Sequence, residues 1–85
     1  MPEISRFLGI VIRMYYRDHA PPHFHAAYRD YEITVDLETG EVNGDFPRRA
    51  RDAVLEWWEL HQIELKADWD LARAEQPLQP IPPLE

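Results

Sequence analysis

The sequence contains no cysteine, which excludes a disulfide framework, a thiolate metal site and a thiol nucleophile. It has no long hydrophobic run either. The longest stretches, such as Ile10-Val11-Ile12, are three residues, far short of a membrane span. No apolar stretch follows a basic start, so no export signal is read, and the expectation is a soluble cytoplasmic protein with no membrane partner. Basic residues are few: nine against 16 acidic, a formal net charge of −7. That balance argues against a generic nucleic-acid coat, whose affinity comes from Lys and Arg neutralising phosphates.

What is present suffices for one core. Eighty-five residues make a single domain, and a chain this short buries only roughly 60% of its unfolded surface. Apolar residues are 45% and aromatics 12%, with three Trp, so the core can be dense and disorder is not expected. Charge is uneven, since residues 32–45 carry five acids and no base. Four of the eight prolines fall between Pro77 and Pro83. Residues 1–76 are therefore read as one domain, and 77–85 as an extended proline-rich tail, free or lying in a groove.

The first half alternates with period two, the signature of strands. Ile10, Ile12, Met14 and Tyr16 oppose Val11, Arg13, Tyr15 and Arg17, until Pro21 and Pro22 break the run. Further strands fit His23 to Tyr28 and Tyr31 to Leu37, with Val42-Asn43 as a short return after a turn at Gly40. Gly44-Asp45-Phe46-Pro47 reads as a helix entrance in which Asp45 caps. Ala50, Val54, Trp57, Leu60, His61, Leu65, Trp69 and Ala72 then form one helical stripe to about Glu75, with a bend near His61 left open. The predicted fold is α+β: three or four antiparallel strands, followed by a long helix packed on one face.

Strand parity places Arg13, Tyr15, His23, His25, Thr34 and Asp36 on the other face. Within Asp18-His19-Ala20-Pro21-Pro22-His23-Phe24-His25, His23 and His25 point the same way, their Cα atoms about 6.6 Å apart. Three readings follow. His19, His23 and His25 could ligate zinc or another divalent transition metal, with Asp18, Asp36 or His61 as an open fourth choice. His23 and His25 could instead serve as a metal-free acid–base pair for RNA cleavage, with Arg13 and Tyr15 holding the phosphate. Or the histidines hydrogen-bond backbone carbonyls or a partner chain.

Other features carry weaker signals. Arg48, Arg49 and Arg51 crowd the first turn of the helix, where the macrodipole disfavours cations. They either bind an anion or pair with Asp45 or Asp52. Trp57 and Trp69 lie on the apolar stripe and belong to the core, and His61 reads as a core or boundary residue. Trp58 falls off the stripe. With Pro80, Pro82 and Pro83 it is the expected partner-binding surface, anchoring the tail or another subunit.

Several strings resemble a known family. They are Ile4-Ser5-Arg6-Phe7-Leu8-Gly9-Ile10, Met14-Tyr15-Tyr16, Asp18-His19 and Pro21-Pro22-His23-Phe24-His25-Ala26. Thr39-Gly40-Glu41-Val42, Pro47-Arg48-Arg49-Ala50, Leu55-Glu56-Trp57, Leu60-His61, Glu64-Leu65 and Trp69 continue the likeness. Together they are similar to small bacterial proteins of domain-of-unknown-function family 4160; Ala20 departs from the Asn or other polar residue expected there. The resemblance implies no defined activity. It implies one half of a two-gene toxin–antitoxin-like module, with a small cognate protein encoded by a neighbouring gene. A homodimer and an RNA target stay open.

Overall fold

In a computed structural model describing residues 2–85, five antiparallel strands form one meander in the order β1-β2-β3-β4-β5. They are β1 (Glu3–Phe7), β2 (Ile10–Arg13), β3 (His23–Tyr28), β4 (Tyr31–Asp36) and β5 (Val42–Asn43). Two helices follow, α1 (Arg48–Leu60) and α2 (Gln62–Arg73). Every strand pairs with its sequence neighbour, which keeps the connections short. Among the described residues no helix is long and apolar enough to cross a membrane.

The α+β class stands, but the elements differ from the sequence reading. The strand β1 was missed because its register shifts between Glu3 and Ser5, so adjacent Ile4 and Ser5 are both buried and strict alternation is lost. The strand expected to run on to Arg17 ends at Arg13. Arg17 takes a φ of 58° and turns the chain, while Met14 stays buried and donates its N–H to the Pro2 carbonyl. The single long helix is two, because His61 leaves helical torsions at φ −126° and ψ 32°. Asp45 does not cap α1. Pro47 stands at the cap position, and no side chain accepts from the first turn.

Parity on the buried side holds. Ile10, Ile12, Phe24, Ala26, Ile33 and Val35 are buried, and Val54, Trp57, Leu65 and Trp69 of the helices join them in one core. Trp57 is fully buried, its ring 5.6 Å from those of both Phe7 and Phe24. α1 has no acid in its first turn and no base in its last. Its charges therefore run against the macrodipole, at a cost of order 0.3–1 kcal/mol each near the ends.

The proline-rich tail lies against this core. Ile81 is buried and donates its N–H to the Ile4 carbonyl at 2.8 Å. Trp57 Nε1 donates to the Pro82 carbonyl at 2.9 Å, and Asp68 Oδ1 accepts the Gln79 N–H at 2.8 Å. Trp58 is not the tail's anchor: its Nε1 donates to the Leu37 carbonyl, and its ring rests against Gly40. Any Cβ on Gly40 would meet that ring at 2.8 Å, and its φ of 77° further favours glycine. Burial pushes the Asp68 carboxyl up despite the Gln79 hydrogen bond, with the Glu64 charge adding to the rise. Ionised Asp68 thus weakens the fold, and this penalty is fully present above its raised pKa and relieved as falling pH protonates it.

Packing of the tail makes a direct expectation. Ile81→Ala should lower unfolding free energy by about 2–4 kcal/mol, as for other buried aliphatic truncations. Urea denaturation measures it, and an unchanged midpoint would mean the tail contributes nothing to the core.

Candidate functional site

The strand β3 places His23 and His25 on the side opposite Phe24 and Ala26, because successive strand residues alternate. His25 lies between Arg13 of β2 and Thr34 of β4, and His23 pairs with Asp36. The connection from β2 to β3 carries Asp18 and folds back over these two imidazoles, through a cis Ala20–Pro21 peptide.

Asp18 Oδ2 lies 3.0 Å from His23 Nε2 and 3.2 Å from His25 Nε2. The three ligand atoms all fall within 4.8 Å of one another. The imidazole nitrogens on the far side are already engaged. His23 Nδ1 is 2.7 Å from the Pro21 carbonyl, and His25 Nδ1 is 3.3 Å from Glu32 Oε2. The Pro21 carbonyl only accepts, so His23 Nδ1 donates to it, whereas His25 faces a carboxylate on each side and as a neutral ring donates to one of the two. In neutral imidazoles this leaves a lone pair on His23 Nε2, and one on His25 Nε2 when its Nδ1 donates to Glu32. Three lone-pair atoms cannot converge at this distance without repulsion. A cation among them, or a proton on each Nε2, resolves it.

Charge at the site is consistent with stable carboxylates. Burial works against ionised Asp18, but it is outweighed by the His25 hydrogen bond, the His19 backbone N–H and the adjacent His23 and His25 rings. Its carboxyl therefore sits below the ordinary range. Asp36 is also held down, chiefly by the backbone N–H groups of Glu38 and Thr39 that its Oδ1 accepts. In front of the imidazoles lies a cleft of about 250 Å³, lined by Asp18, His19 and Pro21 on one side and by Thr34, Asp36, Glu41 and Asn43 on the other.

The structure gathers some of the sequence candidates and separates others. His23 and His25 meet as expected, and Tyr15 sets its ring edge-on to His25 at 4.5 Å. Arg13 neighbours His25 across the sheet. His19 stands outside the three-atom cluster, its side chain 86% exposed, with Nδ1 3.1 Å from Asp18 Oδ1. The converging set is Asp18, His23 and His25, in place of His19, His23 and His25. His61 is remote from it, paired with Glu64 at the α1–α2 junction. Arg48, Arg49 and Arg51 lie at the start of α1, outside the cleft, and form no ion pair among the described residues. Trp58 is half-buried with its indole N–H engaged internally, while Pro80, Pro82 and Pro83 stay exposed. Glu32 was missed. Parity put it on this side of β4, but the register that carries it to His25 depends on the tight Arg29-Asp30 turn, where Arg29 takes φ 55°.

Comparison with known proteins adds one decisive finding. The sequence profile of the domain of unknown function DUF4160 matches residues 9–70, more than half of the chain. The chain belongs to the DUF4160 family. No curated protein and no solved structure matches it significantly. The DUF4160 match spans β2 to most of α2 and so includes Asp18, His23, His25 and Glu32; β1 and the tail lie beyond it.

The hydrogen-bond geometry fixes a measurable tautomer. Long-range ¹H–¹⁵N correlation of neutral His23 should show a protonated Nδ1 and a bare Nε2. The opposite tautomer would remove the Pro21 contact and the convergence argued from it.

Proposed function

We propose that this DUF4160 protein holds one divalent transition-metal ion, zinc foremost, through Asp18 Oδ2, His23 Nε2 and His25 Nε2. One observation carries the reading: both Nδ1 atoms lie against acceptors, while both Nε2 atoms stand 3.0 and 3.2 Å from one carboxylate oxygen, all three atoms within 4.8 Å of one another. Outer-shell carbonyls and carboxylates orient metal-binding histidines in this way. The two carboxylate–imidazole spacings, 3.0 and 3.2 Å, agree as well. Ligand atoms about 2.0–2.1 Å from a zinc ion, at angles between octahedral and tetrahedral, lie about 2.9–3.4 Å apart.

Three protein ligands leave coordination open toward the cleft, which is the pattern of catalytic rather than closed structural zinc. An ion so placed would polarise a bound water or a substrate oxygen, the chemistry of hydrolysis. Thr34, Asp36, Glu41 and Asn43 would then meet the substrate. The metal-free endoribonuclease reading fits less well. An acid and a base act on two sides of a scissile bond, whereas both Nε2 atoms here point at a single oxygen. Asp36 and Glu41 also oppose a phosphodiester in the cleft. On the family resemblance alone, we place the centre within a two-gene toxin–antitoxin-like module with a small cognate protein.

Two experiments test these readings. Tag-free protein purified without chelator should carry near one metal per chain by elemental analysis, with a melting temperature raised by added zinc. Asp18→Asn and His23→Ala/His25→Ala should abolish both effects, and Glu32→Ala should weaken binding by about 10–100-fold while leaving the ligands in place. Protein that stays empty on titration with zinc, cobalt, nickel and manganese overturns the metal centre. For the module, the neighbouring gene product should copurify on coexpression; a monomer that ignores it ends that assignment.

A further inference from the structure

The two ends of α1 differ in both charge and shape. At its start, a groove of about 140 Å³ is lined by Leu8, Ile10, Tyr28, Arg49, Ala50 and Ala53. Arg49 lines it, its α1 neighbours Arg48 and Arg51 are exposed and all three are without an ion pair among the described residues, and the Arg29 guanidinium sits 5.1 Å from the ring centre of Tyr28, another lining residue. Leu8, 70% exposed at the β1–β2 turn, takes a φ of 52°. Gly or Asn is the ordinary occupant of such a turn position, so an aliphatic side chain there is held against local preference.

About 18 Å away, past the other end of α1, two large aliphatic side chains stand exposed on either side of the His61 break, Leu60 at the end of α1 and Ile63 at the start of α2, and we call this exposed corner the knuckle. They are 65% and 86% exposed. Their surroundings are acidic: Glu56 and Glu59 precede them on α1, and Glu64 follows on α2, all exposed. The α1 charges oppose its dipole at both ends, whereas Glu64 sits favourably in the first turn of α2. Their arrangement does not serve the helix, and it leaves an acidic apolar projection at one end and a basic apolar recess at the other.

We propose that the Leu60–Ile63 knuckle of one copy docks into the groove beside Leu8 and Arg49 of a second copy. The occupant is a second chain because the complementary charge and shape are both carried by this one. The contact is heterologous, joining two different surfaces, so each bound copy still presents one free knuckle and one free groove. It is also small. Two aliphatic side chains bury well under the roughly 1,000 Å² of a stable interface, so association is weak and concentration-dependent.

Sedimentation velocity of the full chain in chelator, which removes any metal-bridged contact, tests this separately from the metal centre. The average mass of wild type should rise from micromolar to millimolar concentration. It should fall back at about 1 M salt, where the screening length is only ~3 Å. Ile63→Asp disables the knuckle and Arg49→Glu the groove; both positions are exposed, and matched melting curves confirm intact folds. Each variant alone should stay monomeric. Their equimolar mixture should form a dimer and stop there, since one supplies a working groove and the other a working knuckle. A wild type that is monomeric throughout, variants that associate as wild type does, or a mixture that stays monomeric each overturns the proposal.

Discussion

The alternation of β3 is the constraint from which both the core and the site follow. Phe24 and Ala26 can be buried against the helices only if His23 and His25 face the other way, and a one-residue slip would exchange the two sets. The core side of that choice is enforced by Phe24, completely buried and packed edge-on to Trp57. Hydrophobic burial of a side chain of that size stabilises by about 1.5–3 kcal/mol, enough to hold the register that aims the histidines. The site is precise because the core behind it is.

Electrostatics then decides what the outward histidines can do. Asp18 is brought over them by a loop, and the Pro21 carbonyl in the same loop fixes the proton on His23. Glu32 stands against His25 Nδ1 from the neighbouring strand, 3.3 Å away. Loop and sheet thus impose one orientation on both rings. The convergence of two bare Nε2 atoms on a carboxylate is unfavourable by itself, and either a cation among them or protons on Nε2 relieve it. The DUF4160 profile covers this machinery from end to end, whereas β1 and the tail, outside the match, contribute to the core through Ile4 and Ile81.

Polarity elsewhere in the chain is arranged with similar asymmetry. Asp68 is buried with Oδ1 on the tail's Gln79 N–H and Oδ2 without a partner among the described residues. It holds the strap of residues 77–85 at some expense in stability, which Ile81 and the Trp57–Pro82 hydrogen bond offset. The α1 charges likewise run against helix stability. At Asp68 the local preference yields to a contact between distant parts of the chain.

Sequence by itself determined the α+β class, the inward set of Ile10, Ile12, Phe24, Ala26, Ile33 and Val35, the core roles of Trp57 and Trp69, and the pairing of His23 with His25. Each follows from local periodicity, which the backbone geometry of a strand or helix converts directly into a face. Tertiary structure decided the rest. The irregular register of β1 hid a strand from a period-two reading, and the break at His61 carried no glycine or proline to announce it. Asp18 meets the two imidazoles and His19 does not, because a loop's path, not its composition, sets which side chain faces inward. Glu32 reached His25, and Ile81 reached Ile4, across separations that no local pattern encodes. Such contacts exist only once the chain has closed on itself.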